Sequence, residues 1–84
     1  MRVSVISAER SVFDGDAEGV VVPVYDGLVG ILPQHAPFMT LLGEGIVNIS
    51  QSGGETRLQV AGGFLQVASD VVRIVARRAG PVAP

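Results

Sequence analysis

The chain has no cysteine and no tryptophan among its 84 residues, and only one histidine, one tyrosine and three phenylalanines. Without cysteine there is no disulfide and no thiolate chemistry, which suits a reducing compartment. With so few aromatic rings, the stacking platforms of a sugar-binding site are largely missing. Lysine is absent too: all six basic residues are arginine, which reads as a bias of composition and not as a site. Charged residues are 17% of the chain, against about 25% in an average domain, so part of the surface is expected to lie under a partner. A net charge of −2 without a basic patch argues against nucleic acid. No apolar run approaches the roughly 20 residues of a membrane helix. Arg2, Ser4 and Glu9 interrupt the stretch where a signal peptide would need an apolar run.

What the chain does have is a period of two. Apolar and polar residues alternate in Arg2–Ser7, Ile46–Ser50, Thr56–Val60 and Val71–Ala76, and Val20-Val21-Val22 is β-branched. Asp26-Gly27, Gly53-Gly54 and Ser69-Asp70 are turn signals, and Gly62-Gly63 breaks a strand that restarts at Phe64, two glycines that let the strand bend or let another backbone pass close by. In Val71–Ala76, Val72, Ile74 and Ala76 share one face, and Arg73 and Arg77 the other. No window carries a helical period. The pattern predicts an all-β fold, an antiparallel β-sandwich or flattened barrel of about ten strands. Residues 1–78 form one domain, with a flexible tail over 79–84. A compact chain of this length has a radius of gyration of roughly 12 Å, with little room for a deep pocket.

The stretch Gly30-Ile31-Leu32-Pro33-Gln34-His35-Ala36-Pro37 places two prolines and the only histidine in one loop. Pro33 and Pro37 fix φ and remove two backbone donors, so the loop is stiff, and stiff loops lose little entropy on docking. His35 has two readings: it holds the loop by bonding local backbone, or it touches a partner. No catalytic set surrounds it, and no serine sits in a nucleophile elbow. Asp14-Gly15-Asp16-Ala17-Glu18 lacks the spaced ligands and distant bidentate Glu of a calcium loop. Phe38, Met39, Leu41 and Leu42 form a continuous apolar run. Strand alternation must turn about half of it outward or toward a second sheet.

Three segments in order resemble the N-terminal domain of the epsilon subunits of F-type ATP synthases. They are Ser7–Gly15, Asp26–Thr40 with its Gly-Ile-Leu-Pro-Gln-His-Ala-Pro core, and Gly62–Val67 followed by Val71–Ala76. The resemblance implies a ten-stranded β-sandwich with no catalytic residues and no cofactor, at the foot of a rotor stalk. It would bind the gamma subunit on one side and the membrane-embedded c-ring on another, coupling proton flow to ATP synthesis. The location implied is peripheral, at the cytoplasmic face of a bacterial inner membrane. Carried over, the gamma contacts are Ser7, His35 and Thr40, and the c-ring contacts are Asp26, Gly27, Leu28 and Val29. Two positions depart from the family pattern. Gln34 stands where Gly or Asn is usual, a mild change in an exposed loop. Leu28 stands where a polar or acidic residue is common. Typical epsilon subunits continue into two helices that bind ATP and slow hydrolysis; this chain is read as naturally short and without that brake. The alternative reading is a free-standing β-sandwich that binds a small ligand such as a carbohydrate.

Overall fold

The computed structural model describes residues 1–82 and contains no helix among them. Eight strands follow in order: β1 Arg2–Ile6, β2 Ser11–Asp16, β3 Gly19–Val24, β4 Gly27–Ile31, β5 Phe38–Leu41, β6 Glu44–Gln51, β7 Gly54–Ala68 and β8 Val71–Pro81. They pair in the order β2-β1-β8-β7-β6-β3-β4, with β5 also on β7. All pairs are antiparallel except β1 with β8, which runs parallel. The all-β expectation holds, and that one parallel pair is the departure from the expected antiparallel pairing.

The count of eight and the expected ten describe the same object. β7 and β8 are long strands that serve two layers. Their first layer contains β2, β1, Val71–Ala76 of β8, Gly63–Ala68 of β7, and β5. The second contains Arg78–Pro81 of β8, Gly54–Ala61 of β7, β6, β3 and β4. The crossing lies at Gly62-Gly63 opposite Arg77. The strand runs through these glycines without ending, and they serve both expected purposes, a bend and a close approach of another backbone. Gly63 takes φ +107°, and a β-carbon there would lie 1.9 Å from the Val75 carbonyl oxygen. The burial phase changes at the same place. Leu58 and Val60 face the core before it, and Leu65 and Val67 after it. A strand passing from one layer to its neighbour must exchange its faces in this way to keep apolar side chains inward.

Both layers feed one core. Val3, Val5, Leu65, Val67, Val72 and Ile74 from the first layer meet Val20, Val22, Ile31, Val47, Ile49 and Val60 from the second. No polar or charged side chain is buried among the described residues. The radius of gyration is 11.3 Å.

Hairpin turns fall within a residue of their sequence signals. Tyr25-Asp26 and Ser52-Gly53 are the two-residue loops, with Gly27 and Gly54 opening the next strands. Ser69 and Asp70 both have positive φ, 52° and 61°, as a type I′ turn requires. β8 runs further than expected: Ala79, Gly80 and Pro81, assigned by sequence to the tail, pair with Val60, Gln59 and Leu58. Residues 83 and 84 of that tail lie outside the described residues.

Candidate interaction surface

The proline loop is built on one turn. His35 N–H donates to the Leu32 carbonyl at 3.2 Å. Pro33 supplies the second position of that turn, and Gln34 the third, with φ +66°. This is type II geometry, whose third residue is normally Gly or Asn. The expectation of a mild change at Gln34 is therefore corrected. The side chain is exposed, but the backbone occupies a region where a β-carbon costs about 1–2 kcal/mol. Gln34 N–H donates to Asp70 Oδ1 at 2.7 Å, across 36 residues of sequence.

His35 Nδ1 lies 2.7 Å from the Ala36 carbonyl oxygen. A carbonyl can only accept, so Nδ1 carries the proton of this contact. The ring also sits 5.1 Å from that of Phe38, tilted by 55°, and Phe38 packs against the core. The histidine thus ties the exposed loop to the start of β5, while the residue itself remains exposed.

Ser7 is half-buried and its hydroxyl works locally. It accepts from the N–H groups of Glu9 and Arg10 at 3.3 Å each and donates to the Arg10 carbonyl at 3.2 Å, fixing the bend after β1. A shallow groove beside it is lined by Arg10, Arg77 and Arg78. Thr40 is half-buried opposite the core residue Leu65. Its neighbours Met39 and Leu41 point the other way and are 61% and 63% exposed.

An apolar row that sequence reasoning missed connects these positions. Leu41 pairs with Phe64, Phe64 with Val75, and Val75 with Ile6. Directly paired residues share a face, and this face is turned away from the core. The row crosses four strands, about 14 Å at the usual strand spacing. It runs from the residue beside Thr40 to the residue before Ser7. One signal was present in the sequence. Val75 lies between Arg73 and Arg77 on the face of β8 opposite Val72, Ile74 and Ala76, where a solvated strand would carry a polar side chain.

Asp26, Gly27 and Leu28 form the exposed tip of the β3–β4 hairpin, with Leu28 73% exposed. Val29 differs: it is half-buried and packs against the core, so it supports the tip and is not part of its outer surface. Tyr25, 68% exposed, joins the tip instead. The hairpin is bound to β5 by backbone. Tyr25 N–H donates to the Leu41 carbonyl at 3.2 Å, Gly43 N–H donates to the Pro23 carbonyl at 2.9 Å, and Val24 bridges Leu42. Hence Leu41, a member of the apolar row, is hydrogen-bonded directly to the residue beside the tip.

The Asp14–Glu18 stretch carries ordinary strand-end contacts. Asp14 Oδ1 accepts from Arg2 Nε at 2.9 Å, and the Asp16 carbonyl accepts from Gln51. No group of three or more His, Asp or Glu able to hold a metal ion occurs among the described residues.

Comparison with known proteins matches residues 1–82 to the ATP synthase delta/epsilon chain β-sandwich domain. The ATP synthase epsilon chain of Chloroflexus aggregans is 41% identical over 76 residues, covering 90% of this chain and 55% of that protein. The epsilon chain of Maricaulis maris is 39% identical over 83 residues, covering 99% and 62%. The chain thus spans little more than half the length of these curated relatives. Among solved structures, a chain of the Euglena gracilis mitochondrial ATP synthase OSCP/F1/c-ring assembly superposes with a TM-score of 0.86. It has 22% identity, over 94% of this chain and 51% of that one. A chain of the Tetrahymena thermophila mitochondrial central stalk and c-ring superposes at 0.76, with 15% identity over 96% and 66%. The fold, the ordered motifs and the match over nearly the whole chain agree: this protein belongs to the ATP synthase delta/epsilon chain β-sandwich family.

Proposed function

We propose that the chain is a non-catalytic central-stalk subunit of an F-type ATP synthase, joining the gamma subunit to the c-ring so that proton flow is coupled to ATP synthesis. Gamma lies against the Ile6–Val75–Phe64–Leu41 row, with Ser7 and His35 around its margins and Thr40 behind Leu41, on the core-side face of β5 opposite Leu65. The c-ring meets the hairpin tip, through Asp26, Gly27 and Leu28 with Tyr25 beside them, and Val29 holds the tip from beneath. The membrane is reached only through the complex, at the cytoplasmic face of a bacterial inner membrane. Family membership supports the role. The observation that carries the two-sided arrangement is the backbone tie at Tyr25 and Leu41. Force entering at the tip passes into the strand that edges the apolar row, without crossing a flexible linker.

Co-purification with gamma and with c-ring-containing membranes tests this reading. Leu41→Arg sets an unpaired charge in the apolar row and should cut gamma capture by about tenfold or more, leaving thermal stability unchanged. Leu28→Arg should weaken retention on the c-ring and spare gamma. Equal losses of both partners in both variants, or of neither, would refute the assignment.

A further inference from the structure

Three non-glycine residues among those described have left-handed φ: Gln34, Ser69 and Asp70. Gln34 and Asp70 meet at one carboxylate, and Ser69 precedes Asp70 in the same turn. Asp70 Oδ1 accepts from Gln34 N–H at 2.7 Å. Its Oδ2 is 3.9 Å from the N-terminal ammonium of Met1, and its carbonyl accepts from Arg2 N–H at 3.1 Å. One residue therefore joins the proline loop, the β7–β8 turn and the start of β1.

We propose that Asp70 is the positioning residue of the proline loop, its carboxylate holding Gln34 in the left-handed conformation that shapes the loop for docking. The docking half of this proposal rests on the reading of that loop as part of the gamma joint. Gln34 has no conformational preference for its φ; Gly or Asn would. A charge-assisted bond to its N–H is one of the stronger interactions an exposed loop can make. The acceptor does not move with the loop, because Asp70 sits in a two-residue turn between the paired strands β7 and β8. The turn itself does not need the carboxylate, since Gly and Asn suit type I′ positions well. If the bond is lost, Gln34 is free to relax toward negative φ. The Leu32–His35 turn then opens, and with it the placement of His35.

The turn chemistry makes the test clean. Asp70→Gly keeps the turn and removes the latch; Asp70→Asn keeps the turn and a side-chain oxygen that can accept the same bond. Amide exchange by NMR on the isolated chain should find Gln34 and His35 exchanging about tenfold to a hundredfold faster in Asp70→Gly. Strand amides should be unchanged, and Asp70→Asn should restore most of the protection. Gamma capture by Asp70→Gly should weaken roughly threefold to tenfold as the loop loses its preorganised shape. Adding Gln34→Gly should recover it, because glycine accepts the left-handed region unaided. Unchanged exchange at Gln34, or exchange rising evenly along the β7–β8 hairpin, overturns the latch. A loosened loop that still binds gamma at wild-type strength overturns the docking role. Failure of the wild-type chain to bind gamma removes the functional reading instead, and the exchange measurements still decide the latch.

Discussion

At the scale of single residues, Gln34 carries a backbone cost that its side chain does nothing to explain. Gln34→Gly should raise stability by about 0.5–1 kcal/mol, the left-handed penalty less the entropy of glycine. For a domain of this size the melting temperature should rise by about 2–8 °C; a fall would mean that the Gln34 side chain itself contributes a stabilising contact, since glycine keeps the N–H that Asp70 accepts. Arg2 offers a contrast. Its hydrogen bond to Asp14, and then the charge of that partner, raise the guanidinium pKa above its ordinary value. A raised folded pKa gives stability that is complete below the unfolded value and is lost only as pH climbs through the folded one. Both lie above the working range, and both side chains are about half exposed. Arg2→Ala should therefore leave the shape of the stability curve between about pH 7 and pH 10 unchanged, as urea melts at several pH values would report. The proline loop was legible as a stiff element from Pro33 and Pro37 alone. Its latch was not, because nothing local in the sequence links residue 34 to residue 70.

At the scale of elements, the hairpin of β3 and β4 depends on a close backbone approach to the segment after β5. A β-carbon on Gly43 would lie 2.5 Å from the Val24 carbonyl oxygen. Gly43→Ala should push the two segments apart and break the bonds of Tyr25 and Gly43. The expected result is faster exchange at these two amides, by about tenfold, with c-ring retention lost before gamma capture. Exchange unchanged at Tyr25 would show that the hairpin is held by packing instead. The strands themselves were readable, since alternation and turn residues are local signals. The outward apolar row was only half readable. Val75 between two arginines marked one position, but the partners Phe64, Leu41 and Ile6 come from strands whose register no short segment specifies.

At the scale of the whole molecule, two layers are sewn together by continuous strands, and the crossing at Gly62-Gly63 bears on both. Gly63→Ala meets the Val75 carbonyl and a φ of +107° at once, so it should cost about 2–4 kcal/mol. Thermal melting would register this as a single cooperative loss, because the two layers share one core. A separate early transition would instead mean that the layers unfold independently. The sequence by itself determined the strands, the turns, the inward faces and the family, since each is written in neighbouring residues or in ordered motifs. It also marked the bend, through the paired glycines Gly62 and Gly63, while the change in the phase of burial from Leu58 and Val60 to Leu65 and Val67 emerged only with the folded layers. Only the tertiary structure decided that β1 runs parallel to β8, that Val29 turns inward while Tyr25 turns outward, and that Asp70 reaches Gln34. These are contacts between segments distant along the chain, and their free energies arise only when the layers close on each other.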